Sequence, residues 1–239
     1  MNKNRFKLIT CIIVLFTITI VANPKVLASE TKVEYTMKKD KVTYKDKEGI
    51  VRGVVSFQYP EIKGSSSEIK KINDTLKAES EAYMQSETAQ SLKDYTDISI
   101  DNNAFKNIDD TYYYKTTCKV TYNNNSIISL HMKNSWYAGG IYEQSDYGFT
   151  YDIKTGNKLG LKDVVSGDAK SIKNKIVASG KKYLTTDGVL DQKAYDIIKS
   201  YKLKDYKFYL SKNKVYICFE SYELGMNRWD IFSIKSKFK

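Results

Sequence analysis

Three short motifs in this 239-residue chain have the composition to do chemistry. Ser67-Glu-Ile-Lys70 has the S-x-x-K spacing of penicillin-interacting serine enzymes, Tyr122-Asn-Asn124 resembles their middle motif, and Lys154-Thr-Gly156 matches K-T-G, in the right order. The spacing carries little weight, because S-x-x-K recurs at Ser179-Gly-Lys-Lys182 and Ser211-Lys-Asn-Lys214 in a lysine-rich chain. Lys154-Thr-Gly156 also reads as a polar turn closing a strand, whereas catalysis needs it on a strand lining a cleft. His131 is the single histidine, which removes the commonest general base and the multi-histidine site of a zinc hydrolase or polysaccharide deacetylase. It alternates with Ser129 and Lys133 on a polar face and is expected to be solvated. A glycosidase needs only two carboxylates, and nothing singles out a pair among the 28 acidic residues. No catalytic residue, metal or cofactor is therefore assigned. The chain is expected to be a non-enzyme, with a glycan hydrolase using an unrecognised carboxylate pair as the competing class.

Recognition chemistry concentrates in one stretch, Asn134-Ser-Trp-Tyr-Ala-Gly-Gly-Ile-Tyr142, read as a sharply bent loop between two alternating segments. Trp136, Tyr137 and Tyr142 are the candidate aromatic anchors, and Gly139-Gly140 is the bend that exposes them. The competing reading is that Trp136 and Tyr137 close the end of the core while the glycines only permit the turn. Lysine clusters at Lys38-Lys39, Lys181-Lys182 and Lys199 to Lys207 are interleaved with tyrosines. They read as solvated charged faces and not as a nucleic-acid site.

The elements that must position this stretch follow from periodicity. Residues 32–60 alternate as extended chain, with Pro60 expected to end the strand. Ser65 and Glu68 have capping-box spacing, and Ile69, Ile72, Leu76 and Tyr83 predict one helix from about Ser66 to Leu92. Tyr112 to Tyr122, a turn at Asn123-Asn-Asn125 and Ile128 to Met132 predict a β-hairpin, with a third strand from Tyr147 to Ile153. Helices are expected from Asp168 and over Asp191 to Tyr201. Strands are expected at Phe208 to Leu210, Val215 to Phe219 and Trp229 to Ile234. Blocks of strands and helices joined by hairpins give an α+β fold, antiparallel sheet(s) with two or three helices packed on one face, and not a βαβ array.

The N-terminus sets basic Lys3, Arg5 and Lys7 before an apolar run from Leu8 to Val21 and a Val26-Leu-Ala28 cleavage site. This is the pattern of a secretory signal peptide. Residues 1–28 are thus the leader, and 29–239 a single domain with a front half of about 33–125 and a back half of about 126–236. The run is shorter than the roughly 20 apolar residues of a membrane span, so an uncleaved anchor is the lesser alternative. Removing the four basic residues of the leader leaves 35 basic against 28 acidic residues, a charge of +7. Such a balance in an exported chain suits an anionic wall polymer or membrane surface at least as well as nucleic acid. Cys118 lies on the apolar side of its strand, while Cys218 alternates opposite Val215, Ile217 and Phe219, so the two thiols are expected on different sides and unbridged.

Tyr137-Ala-Gly-Gly140, Tyr151-Asp-Ile-Lys-Thr-Gly-Asn-Lys-Leu159 and Leu161-Lys-Asp-Val-Val165 together resemble the extracytoplasmic domain shared by the anti-sigma factor RsiV and the non-catalytic part of the peptidoglycan deacetylase PdaC. Tyr59-Pro-Glu-Ile-Lys-Gly64, Ile72-Asn-Asp-Thr-Leu76 and Tyr222-Glu-Leu224 extend the resemblance over about residues 33–236. The chain departs from it at Ile141-Tyr142, where the family has a small residue and histidine, and at Glu220-Ser221 and Gly225-Met-Asn, where it has a proline-containing run. The resemblance implies a cell-envelope binding or sensing module without chemistry of its own. Its partner is then a wall glycan, an anionic wall polymer, or an envelope protein. A lysozyme partner, as for RsiV, is disfavoured because a +7 chain repels basic lysozymes at long range, unless an acidic patch faces them.

Overall fold

The computed structural model describes residues 32–124, 126–225 and 230–238. The leader, its cleavage after Ala28, the turn residue Asn125, Met226, Asn227 and the strand start at Trp229 lie outside these residues. Among the described residues no helix is long and apolar enough to cross a membrane.

The front of the chain builds a five-stranded sheet in the order β1-β2-β3-β4-β5: β1 Tyr35–Lys45, β2 Val51–Ile62, β3 Tyr112–Asn123, β4 Ile127–Ala138 and β5 Ile141–Asp152. Every neighbouring pair is antiparallel except β2 and β3, which run parallel because two helices carry the chain back between them. The expected single helix is two, α1 Ser67–Met84 and α2 Glu87–Asp101. Ser86 ends one and starts the next: its hydroxyl donates to Tyr83 O and accepts from Ala89 N–H. Pro60 does not end β2, which continues to Ile62. At Pro60 the strand pairs only with Met37 of β1, since the β3 register stops at Phe57–Thr116, so the missing N–H leaves no gap in the ladder.

Alternation gives this sheet two unlike faces. Phe57, Tyr59, Ile128, Leu130, Met132, Phe149 and Tyr151 bury against Ile72 and Leu76 of α1, while Val55, Tyr114 and Ala138 bury against Ala89 and Leu92 of α2. On the other face lies the edge strand of a second, three-stranded sheet, ordered β10-β9-β8. Its strands are β8 Lys207–Ser211, β9 Lys214–Phe219 and β10 Asp230–Lys235. The remaining elements are α3 Leu161–Val164, α4 Ala169–Tyr183, the two-residue strands β6 Thr185–Thr186 and β7 Val189–Leu190, and α5 Gln192–Ser200. α4 and α5 begin where the sequence predicts, and Asp168 and Asp191 cap them. Ile172 and Ile176 of α4 and Ile198 of α5 cover the second sheet through Leu210, Val215, Ile217 and Phe232. Each sheet thus carries its helices on one face.

The two sheets meet on bare backbone. A Cβ at Gly148 of β5 would lie 2.4 Å from Phe208 O and 2.6 Å from Tyr209 Cβ. Just beside it, Leu210 of β8 has both main-chain groups bound by the first sheet: its N–H donates to Ser129 Oγ at 2.9 Å, and its C=O accepts from Thr121 Oγ1 at 2.6 Å. An edge strand that would otherwise present unpaired groups is satisfied by side chains. Gly148→Ala is expected to cost about 3 kcal/mol by overpacking this contact, read as a lower urea midpoint.

Cys118 is half-buried on the helix face of the first sheet. Cys218 is buried on β9 beside Tyr209 and Asp146, and both are free thiols. Burial pushes the Cys118 thiol up to about 12 and raises that of Cys218 as well. Protein lacking residues 1–28 is expected to give almost no thiol labelling at pH 8 when folded and two labelled cysteines when denatured without reductant.

Candidate functional site

The stretch read as a loop is the end of a β-hairpin. β4 runs to Ala138 and β5 begins at Ile141, so the third strand starts six residues earlier than its apolar pattern suggested. Gly139 and Gly140, at φ +58° and +85°, form the two-residue turn between them. Both central residues of such a turn need positive φ, and no atom lies within 4 Å of where either Cβ would sit, so glycine is needed for conformation and not for space. A Gly-Gly pair flanked by alternating residues was the available signal.

Strand geometry then separates the candidate anchors. Trp136 pairs with Glu143 and points to the helix face, whereas Tyr137 pairs with Tyr142 and both point to the opposite face. The five candidate residues therefore do not converge on one site: Trp136 and Gly139 line a groove on the helix face, while Tyr137 and Tyr142 lie behind it.

This groove encloses about 730 Å³ between the hairpin, the first turns of α2 and the turn after β9. Trp136 forms its aromatic wall, edge-on to Tyr114 (6.1 Å) and Tyr95 (6.2 Å). Tyr95 is 55% exposed, so the wall opens to solvent. Asn134, Glu143 and Ser145 come from the hairpin, Glu87, Thr88 and Ser91 from α2, and Glu220 and Ser221 from the far turn. Among the described residues the lining contains three carboxylates and no lysine or arginine. Glu220 is paired with Lys207 at 2.6 Å, leaving Glu87 and Glu143 to set the local charge.

The floor is held by a stack. Tyr83 of α1 lies parallel to Tyr114 at 4.1 Å and donates its hydroxyl to Asn134 Oδ1, which also accepts from Thr116. Burial pushes both phenols up, so they stay protonated donors at any physiological pH. The far wall is tied on by Ser221, whose hydroxyl donates to Gln144 O at 2.6 Å and accepts from Gln144 N–H. Glu223 of the Tyr222-Glu-Leu224 motif shapes that turn, accepting from Glu220 N–H and from the Tyr201 hydroxyl.

His131 is not the solvated side chain expected. It bonds Asp146 at 2.5 Å, stacks on Tyr209 of β8 at 4.3 Å and is only 22% exposed. Period-two alternation placed it on the polar face correctly, but β8 lies across that face. Asp146, 3% exposed, also accepts from Gln144 Nε2, so the cluster braces the junction of the two sheets. The serine-enzyme fragments have structural partners too. Gly156 approaches Glu68 O, bringing the start of α1 beside the Lys154-Thr-Gly156 turn. Yet Ser67 Oγ donates to Glu68, and the turn is held by Asp152 accepting from the Lys154 and Thr155 amides. Among the described residues no cluster of three or more histidine, cysteine or acidic side chains could hold a metal ion.

Residues 44–141, from the end of β1 through the Gly-Gly turn, match the model of a family described as deacetylase PdaC. The matched segment holds three of the motifs that carry the resemblance to PdaC, at residues 59–64, 72–76 and 137–140. No curated protein matches significantly. Among solved structures, a DUF3298 family member from Bacteroides fragilis NCTC 9343 is similar with a TM-score of 0.54 at 14% identity, covering 85% of this chain and 91% of that one. A DUF3298 family protein from Pseudomonas aeruginosa PAO1 gives 0.55 at 14% identity, with 86% and 92% covered. At that identity the likeness is one of fold.

Removing the His131 imidazole leaves Asp146 buried with Gln144 as its remaining side-chain partner. His131→Ala is expected to lower unfolding free energy by about 2 kcal/mol, read by urea denaturation.

Proposed function

We propose that this chain, with its PdaC-type segment and DUF3298-type fold, is an exported, non-enzymatic cell-envelope binding module whose groove beside Trp136 takes a wall glycan. The observation that carries the reading is the composition of the groove. A half-buried indole and an exposed tyrosine supply flat apolar surface for the C–H face of a sugar ring, and Asn134, Ser145, Thr88 and Glu143 supply the convergent polar groups that fix its hydroxyls. Two anchors on one wall are the pattern in which a few aromatic contacts dominate binding.

A second reading draws on the charge of the same lining. Glu87 and Glu143, without a neighbouring cation among the described residues of the lining, suit a basic segment of an envelope protein, so the repulsion argued from a +7 chain is weakest at this groove. An anionic polymer fits it poorly for the same reason.

Tyr95 is the cleaner residue to remove, since Trp136 packs against the α2 core as well as the groove. Tyr95→Ala is expected to keep the melting temperature within about 2 °C and to weaken binding to purified, polymer-stripped wall glycan about 30-fold. Unchanged binding to glycan rejects the groove. Release of soluble fragments from labelled peptidoglycan rejects the non-enzymatic reading.

A further inference from the structure

We propose that the opposite face of the hairpin and its sheet is a second docking surface, and that it takes a phosphodiester-linked anionic wall polymer of the poly(glycerol phosphate) kind. The pairing register lays this face out in rows. Thr43, Val54, Tyr113, Tyr137 and Tyr142 form one row across all five strands; Lys41, Ser56, Lys115 and Ser135 form the next; Lys39, Gln58 and Lys133 fall in the third. Lys119 follows along β3. Strand geometry spaces such positions about 5 Å apart across neighbouring strands and about 7 Å apart along one, so the five amines form a lattice of positive charge.

None of these lysines has an ion-pair partner among the described residues. Asp40 and Glu143 of the neighbouring strands face the helix side, while Asp146, opposite Lys133 on this face, is buried and engaged by His131. Lys39, Lys41, Lys119 and Lys133 are exposed. Lys115 is half-buried and held below the usual lysine range by burial and by the nearby charges of Lys39 and Lys41. Like charges gathered without a counter-charge are a cost that a bound polyanion removes.

The aromatic row indicates which polyanion. Lys115 Nζ sits 3.9 Å over the Tyr113 ring, and Tyr137 packs against both Tyr113 (5.6 Å) and Tyr112 (6.1 Å). The Tyr113 and Tyr137 rings are spent on each other and on Lys115, which leaves Tyr142 as the exposed ring of the row, whereas single-stranded nucleic acids lay successive bases on several open rings. What the face offers is amines on flexible stems, which bind phosphates as point charges without reading a ring. A flexible chain of repeating phosphates without bases meets that requirement, and it belongs to the compartment that the leader indicates.

The test uses the chain without residues 1–28, which contains every described element, and purified poly(glycerol phosphate) in 0.15 M salt. A lysine facing a polyanionic surface contributes about fivefold in affinity. The variant Lys41→Gln/Lys115→Gln/Lys133→Gln is thus expected to bind on the order of 100-fold more weakly, with a flatter salt dependence. Lys170→Gln/Lys181→Gln/Lys182→Gln, on α4 and with the same net charge, is expected to bind within about threefold of the parent. If the half-buried Lys115 position lowers stability, the exposed pair Lys41→Gln/Lys133→Gln carries the test at about 25-fold. Equal losses in the two triple variants, no binding by the parent, or equally tight capture of single-stranded DNA of matched charge overturns the proposal. Because Tyr95→Ala leaves this face intact, failure of the groove and failure of this surface give different results.

Discussion

The arrangement of the molecule turns on one contact, the seating of β8 across the five-stranded sheet at Gly148. A strand can approach another sheet's backbone this closely only where no Cβ intervenes. Such an approach in turn leaves no room for water, so the Leu210 amide and carbonyl need protein partners. Ser129 and Thr121 supply them from the same face. Because β8 is the edge of its own sheet, this single line of contact fixes where the second sheet, α4 and α5 stand relative to the first. It also determines which part of the first sheet's polar face is covered, the Thr121–Ser129–Gly148 end, and which part is left to Tyr113, Lys115, Tyr137 and Lys133.

The groove depends on the same junction from the other side. β5 is an edge strand, and beyond Asp146 its free main-chain groups are met by the turn that follows β9, through Ser221 and Gln144. That turn can reach β5 only because β8 and β9 are docked at Gly148. Its shape is set by Glu223, which spans from the Glu220 amide to the Tyr201 phenol. The Tyr-Glu motif recognisable in the sequence therefore acts on the groove indirectly, by placing Glu220 and Ser221 at its rim.

The sequence was legible where a residue's fate depends on its own neighbours, and illegible where it depends on a distant element. The helices expected from Asp168 and Asp191 start where periodicity placed them, and each aspartate caps its own helix through a contact with the next three residues. Tyr112 to Met132 folds as the hairpin its alternation predicted. The misreadings are of two kinds. The apolar spacing of α1 runs on into α2 with nearly the same phase, so periodicity reads one helix and only Ser86 marks the break. His131 differs from expectation for another reason: a polar face is solvated only if nothing lies across it, and no local pattern reveals that β8 does. Gly148 carries the same lesson, since nothing around it distinguishes a glycine that admits another backbone from one that merely weakens a strand.

Read as a loop, the stretch lets the side chains of Trp136, Tyr137 and Tyr142 converge. In a hairpin they cannot, because adjacent residues on a strand point to opposite faces. Reassigning the stretch from loop to hairpin changes what the aromatic cluster means: one indole on the side of Glu87 and Glu143, two phenols on the side of Lys41, Lys115 and Lys133. The net charge of the chain conceals this division, since the five lysines of one face and the groove carboxylates Glu87 and Glu143, without an ion pair among the described residues, lie on opposite sides of the same sheet. The positive field of the whole chain acts at long range, whereas the charges that line the groove act within a Debye length of about 8 Å. A chain built this way can be drawn to an anionic envelope by one face while the other remains open to a neutral or basic ligand, and the Gly139-Gly140 turn is the element that the two faces share.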